Sequence, residues 1–109
     1  MSFQLNNLMK QAQEMQKKMQ QAQKEIEETE TTGESGAGTV KVTINGRHRV
    51  MRVVLSDAFN EEPQEVKEDL LAAAFNAAAQ KIEELSKKKL ASITEGIKLP
   101  EGFGGGEAS

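Results

Sequence analysis

Residues 39–55 read TVKVTINGRHRVMRVVL, and this stretch decides the fold because it predicts a β-hairpin. β-branched residues are frequent on both sides of Asn45-Gly46, a pair typical of tight turns because both residues tolerate positive φ. Before the turn, Val40, Val42 and Ile44 alternate with polar residues. Such alternation predicts strands with one face on a hydrophobic core.

The sequence does not decide which residues of the two strands pair in this hairpin. A two-residue turn at Asn45-Gly46 would place Ile44 opposite Arg47. It would place Val42 opposite Arg49 in the same way. Either these arginines project beyond the edge of the core, or a β-bulge shifts the register.

The segment before the hairpin predicts a loop and a short strand. GESGAG at 33–38 contains three glycines in six residues, which favours a loop. It lacks the Gly-Lys-Ser/Thr ending of a phosphate-binding loop. Thr29 and Thr31 alternate with acidic residues, as expected for a short strand.

The segment after the hairpin predicts one long helix, which starts near Asn60 and extends for roughly 30 residues. Pro63 suits its first turn, and Gly96 is a natural stop. The stretch 70–79 is almost entirely Ala, Leu and Phe, so it can pack closely on a sheet. The rest is amphipathic, and we expect it to overhang the sheet and meet the first helix. Residues 100–109 are expected to form a flexible tail after a single domain at 1–99.

The N-terminal segment predicts a helix with an apolar seam over three heptads, because apolar residues recur at spacings of 3 and 4. Such a seam predicts packing against another helix, here in a dimer. Since it is rich in Met and Ala, it would pair weakly without help from the rest of the fold. The predicted interface consists of Leu5, Leu8, Ala12, Met15, Met19, Ala22 and Ile26.

The opposite side of this helix is basic. Lys10, Lys17 and Lys24 all take heptad position f, which faces away from the seam. Residues 1–24 carry four lysines and one glutamate, whereas residues 25–34 carry five glutamates and no basic side chain. Although the net charge is −3, a polyanion responds to the local field within roughly 8 to 10 Å at physiological salt. Charge alone fits DNA binding and an ordinary solvated helix equally well.

The residues needed for catalysis are almost absent. The 109-residue chain has no cysteine, and its only histidine, His48, lies beside the hairpin turn between two arginines. Ser35 has no identifiable base, and the acidic residues at 61–69 are explained by the positive end of a helix dipole. We therefore expect no enzyme, no metal, no cofactor and no small-molecule substrate.

The composition also bears on location. The lack of cysteine fits a reducing compartment, so we expect a cytoplasmic protein. No stretch approaches the roughly 20 apolar residues that a membrane-spanning helix needs, so no membrane partner is expected.

The basic residues favour duplex DNA as the partner. The chain has four Phe and no Tyr or Trp, and none of these rings lies among the hairpin arginines. Proteins that bind single strands stack bases on aromatic rings, so their absence there favours phosphate contacts to a duplex. The candidate DNA-binding residues are Lys10, Lys17, Lys18, Lys24, Lys81, Lys87, Lys88, Lys89, Arg47 and Arg49.

Four segments resemble one known family. They are NLMKQAQEMQKKMQ at 7–20, TGESGAGTVKVTING at 32–46, DLLAAAFNAAAQKIEE at 69–84 and GIKLPEGF at 96–103. The chain resembles the bacterial YbaB/EbfC family of nucleoid-associated proteins over most of its length.

The resemblance implies an α+β fold with a long N-terminal helix, a three-stranded antiparallel sheet and a long C-terminal helix in a tweezer-like homodimer. It places the first strand around 27–33 and implies that the helical arms bind DNA in the nucleoid. It implies no catalytic residues.

The alternative function is a protein-interaction factor that holds a replication or recombination protein between its helices. A small hydrolase using Ser35 and His48 is rejected.

Overall fold

The computed structural model describes residues 2–95 and has the predicted α+β order of elements. The elements are α1 (Ser2–Glu28), β1 (Glu30–Ser35), β2 (Val40–Asn45), β3 (Val50–Leu55), α2 (Asp57–Asn60) and α3 (Gln64–Glu95). The sheet is antiparallel with the order β1-β2-β3. The predicted flexible tail at 100–109 lies outside the described residues.

The core lies between β2 and the middle of α3. Val40, Val42 and Ile44 are buried in β2, and Ala74 and Ala78 are buried in α3. Small alanine side chains let the helix backbone approach the sheet closely, as predicted from the stretch 70–79. Each large aliphatic side chain buried here stabilises the fold by about 1.5–3 kcal/mol.

The prediction that 33–38 is all loop was wrong. Strand β1 continues through Gly33 to Ser35, and its start at Glu30 lies later than the implied start near residue 27. Position 33 of this strand requires glycine, because a β-carbon there would lie 2.1 Å from the carbonyl oxygen of Ala74. The backbones of β1 and α3 therefore approach closely at this position. Positive φ angles occur later, at Gly36, Ala37 and Gly38.

Of the two alternatives left open for the hairpin register, the structure has the β-bulge, and Asn45-Gly46 does not form a two-residue turn. Ile44 pairs with Val50 rather than Arg47, and a bulge interrupts the register between Thr43 and Ile44. The connecting loop takes in residues 46–49, so both arginines lie in the loop. The side-chain oxygen of Asn45 accepts hydrogen bonds from two backbone amides of this loop, those of Arg47 at 2.9 Å and Arg49 at 3.0 Å. The positive φ occurs at His48, not at the Asn-Gly pair.

The C-terminal helix is divided at its start. A separate turn, α2, precedes it and buries Phe59, and α3 begins at Gln64 immediately after Pro63. The carbonyl oxygen of Pro63 accepts a hydrogen bond from the Lys67 amide at 2.9 Å. As predicted, the later part of α3 meets α1, because Glu25 and Lys89 form an ion pair between the two helices.

Strand β3 is the uncovered edge of the sheet. Helix α3 packs over β1 and β2, and every residue of β3 is exposed. The five apolar residues of this strand are between 45% and 55% exposed: Val50, Met51, Val53, Val54 and Leu55. As the sequence predicts, Val53 and Leu55 lie on the same face of the sheet as the core residues of β2, but α3 does not extend across β3.

Candidate nucleic-acid interface

Three exposed lysines form a line along α1. Lys10, Lys17 and Lys24 are seven residues apart, so successive side chains are about 10.5 Å apart and rotated by only about 20°. We call these three residues the lysine row. Within residues 2–95, none of them forms an ion pair, so their charges are directed to solvent. Lys18 is exposed beside the row.

The lysine row faces away from the packed side of α1. Ala22 and Ile26 are buried at 3% exposure, and Met15 and Met19 are half-buried. The C-terminal part of the predicted dimer seam is therefore already buried within a single chain. Its distal part is open, since Leu5, Leu8 and Ala12 are exposed.

The four lysines of α3 do not form one cluster. The ammonium group of Lys81 donates a hydrogen bond to the Thr32 carbonyl oxygen at 2.7 Å, and Lys89 pairs with Glu25. Lys87 and Lys88 are exposed and, within the described part of the chain, have no ion pair. Only these last two therefore present fully available charge.

Of the two hairpin arginines, one has an internal ion pair and the other does not. Arg47 forms an ion pair with Glu27 at 3.1 Å, which partly neutralises it. Arg49 is exposed, and the structure shows no ion pair for it among the described residues. Arg52, in β3, pairs with Glu30 at 3.0 Å. The hairpin therefore offers less free positive charge than its sequence indicates.

The two residues considered for catalysis lie at opposite ends of the sheet. The Ser35 hydroxyl donates a hydrogen bond to the Leu70 carbonyl oxygen at 2.6 Å, which ties β1 to α3. His48 is exposed at the hairpin tip. Across residues 2–95, no three His, Cys, Asp or Glu side chains are grouped so that they could hold a metal ion. None of the described helices is both long and apolar enough to span a membrane.

The sequence interpretation missed the exposure of β3. The run VMRVVL is apolar on both faces of the strand, and this lack of alternation is the signal that could have indicated an uncovered edge awaiting a partner. It also assigned no role to the exposed amide side chains of α1.

These features define a small α+β protein whose unpaired positive charge is concentrated on exposed helix surfaces. The chain belongs to the YbaB/EbfC DNA-binding family, whose family model matches residues 1–97. This is a nucleoid-associated DNA-binding family. The match agrees with the resemblance drawn from the four sequence segments.

A solved structure supports the same fold. The chain is similar to a crystal structure titled as that of uncharacterized protein HP0035 from Helicobacter pylori, with 25% sequence identity and a TM-score of 0.67. The similarity covers 80% of this chain and 92% of that one. The arrangement of helix, three-stranded sheet and helix is therefore shared across most of both molecules.

Proposed function

We propose that this protein is a non-enzymatic, homodimeric, nucleoid-associated protein that binds duplex DNA through phosphate contacts with weak sequence preference. The observation that carries the proposal is the lysine row, three unpaired cations along one exposed side of α1. A cation that contacts a phosphate releases a counterion, which gives affinity without reading the base sequence. Lys18, Lys87 and Lys88 are also exposed and form no ion pair within residues 2–95, and we include them among the phosphate contacts.

The remaining candidates can be ranked by whether their charged groups already have a partner within the chain. Lys81, Lys89 and Arg47 would each have to leave an internal partner before binding a phosphate. Their contribution to affinity is therefore smaller than that of the lysine row. Arg49 lies beside Arg47 at the hairpin tip, and it contributes only if DNA reaches the end of the sheet.

A homodimer is supported by the uncovered edge strand. An exposed apolar strand presents unpaired backbone groups and apolar side chains, and it can pair with another strand. Val50, Val53 and Leu55 pair with core residues of β2, so they lie on the face of the sheet that α3 covers elsewhere. A second copy packed on β3 would bury this face. The distal part of the α1 seam is a second apolar surface that another copy could cover.

The decisive experiment is a salt titration of binding to random-sequence duplex DNA. We expect the logarithm of the association constant to fall linearly with the logarithm of salt concentration, with a slope of roughly 0.9 for each phosphate contacted. A complete lack of binding at low salt would overturn the proposal.

A protein partner is the second candidate function. The free end of α1 exposes Leu5 at 59%, Leu8 at 62% and Met9 at 55%, an apolar surface that a partner helix could cover. This function requires no binding to duplex DNA. The same titration therefore separates the two functions.

A further inference from the structure

A second row of polar side chains runs beside the lysine row on α1. Asn6, Gln13 and Gln20 are seven residues apart at heptad position b, which adjoins position f on the exposed face of the helix. We call these three residues the amide row. All three are exposed, and within the described residues none of their amide groups has a hydrogen-bond partner. Their donors and acceptors are therefore available to a ligand.

Helix stability does not explain this choice of residues. Gln and Glu have similar helix propensities, and Glu spaced four residues from Lys would add an ion pair. Yet residues 2–24 contain nine amide side chains and only one carboxylate, whereas α3 contains six carboxylates and three amides. A carboxylate beside the lysine row would repel a phosphate, whereas an amide retains hydrogen-bonding capacity without that repulsion.

The two rows line the same surface depressions. A depression of about 410 Å³ is lined by Asn6, Lys10 and Gln13 together with Phe3, Asn7 and Met9. A second, of about 290 Å³, is lined by Gln13, Lys17 and Gln20 together with Gln16. A polyanion placed against the lysine row would therefore contact the amide row too.

We propose that the amide row lies against base edges in the major groove while the lysine row binds the adjoining phosphate strand, so that Asn6, Gln13 and Gln20 set the sequence preference of the protein. This inference rests on the proposed DNA binding. Base edges in B-DNA rotate by roughly 35° with each base pair, so a straight helix brings the amide that faces the groove floor within reach of a base edge. A carboxamide can pair with adenine through N6 and N7 in the major groove. The expected preference is therefore for adenine.

The test compares two triple variants in selection from a randomised duplex library. The first, Asn6→Ala with Gln13→Ala and Gln20→Ala, removes the amide row. The matched control, Gln4→Ala with Gln11→Ala and Gln23→Ala, removes three exposed amides of α1 that lie at least about 120° from the centre of the lysine row and line neither depression. Alanine has the highest helix propensity, so both variants keep α1, which circular dichroism would verify.

We expect the natural protein and the control to enrich adenine at one or more positions by at least about fivefold, the equivalent of about 1 kcal/mol for one bidentate contact. The amide-row variant should no longer show this enrichment while keeping the same salt dependence. Replacing the enriched adenines by 7-deazaadenine removes N7 and should weaken binding of the natural protein but not of the variant.

Three outcomes would overturn the inference. If the natural protein binds duplexes without any adenine preference, or if the preference survives removal of the amide row, the amides do not read bases and the proposed DNA binding still stands. If the natural protein does not bind duplex DNA, the inference and the proposed function both fail.

Discussion

A β-carbon on Gly46 would lie 1.8 Å from the carbonyl oxygen of Ile26, so the hairpin loop and the last turns of α1 meet backbone to backbone. The φ angle of Gly46 is not positive, and its importance lies in the absence of a side chain. This contact fixes where α1 leaves the sheet. It thereby sets the direction of the helix that carries the lysine row.

Gly46→Ala should therefore destabilise the protein. Overpacking a close contact typically costs about 1–3 kcal/mol, and here the new methyl group meets backbone that cannot rotate away. Urea denaturation would measure the free energy of unfolding. Arg47→Ala is the control, since it removes only an exposed ion pair and should cost less than about 1 kcal/mol. Equal stabilities for the two variants would contradict the close approach of the two backbones.

Neutralising the lysine row should weaken DNA binding without unfolding the protein. In the variant Lys10→Gln, Lys17→Gln, Lys24→Gln, the salt slope should decrease by roughly 0.9 for each phosphate that is no longer neutralised. Fluorescence anisotropy with a labelled duplex would measure both affinity and slope. Replacing the same three lysines by arginine keeps the charge and should leave the slope unchanged. An unchanged slope in the glutamine variant would exclude the lysine row as the phosphate site.

Removing the charge of Glu14, the one carboxylate within residues 2–24, should have the opposite effect. Glu14 is exposed and lies between Lys10 and Lys17 in the sequence, so its charge opposes an approaching phosphate strand. Glu14→Gln should raise DNA affinity at low salt, and the gain should shrink as salt screens the interaction. Glu65→Gln, at the start of α3, removes the same charge far along the chain and should change affinity less. A weaker complex for Glu14→Gln would place the DNA elsewhere.

The exposed lysines of α3 should contribute more than its internally bonded ones. Lys87→Gln with Lys88→Gln should lower affinity and salt slope together, because both charges are free. Lys81→Gln with Lys89→Gln should change binding less, because these ammonium groups already have partners in β1 and α1. Parallel anisotropy titrations would rank the two pairs, and the reverse order would mean that the internal contacts open on binding.

The Arg47→Gln, Arg49→Gln pair locates DNA relative to the hairpin. Arg47 is held by Glu27, so we expect this double variant to reduce affinity less than neutralising the lysine row does. Anisotropy under the conditions used for the helix variants would make the comparison direct. Should the arginine pair abolish binding while the lysine row proves dispensable, DNA would lie at the tip of the sheet.

Charge on the free strand should prevent dimer formation. A homodimer predicts about twice the 11.9 kDa chain mass in sedimentation at micromolar concentration. Val50→Lys with Val53→Lys should reduce this to a single chain mass, because a charge buried in an apolar contact costs several kcal/mol. Val66→Lys, at an exposed position of α3, is the matched control.

The α1 seam is tested separately by Met15→Glu with Met19→Glu. These side chains are half-buried within one chain, so their replacement should lower the melting temperature whether or not a dimer forms. A decrease to the single chain mass with this variant but not with the β3 variant would assign the dimer contact to the seam instead. A monomeric natural protein would contradict both contacts.

The sequence alone determined the two long helices, the strands on both sides of the hairpin turn and the position of the lysine row. Periodicity of 3.5 residues in α1 and alternation in β2 are local signals, because they follow from the geometry of a single helix or strand. The separation of an apolar seam from a basic face could therefore be read directly. The Ala-rich segment of α3 likewise indicated close packing on the sheet.

The tertiary structure decided which of these residues remain available. The hairpin register, the place of Gly33 in β1 and the contact of Gly46 with Ile26 all depend on backbone from distant parts of the chain. The same holds for charge, since Lys81 and Lys89 are identical in type to Lys87 and Lys88 but have internal partners. Local pattern specifies a side chain and its face, whereas exposure and pairing depend on where elements remote in sequence come to lie. The exposure of β3 has the same origin, because α3 crosses β1 and β2 and does not reach β3.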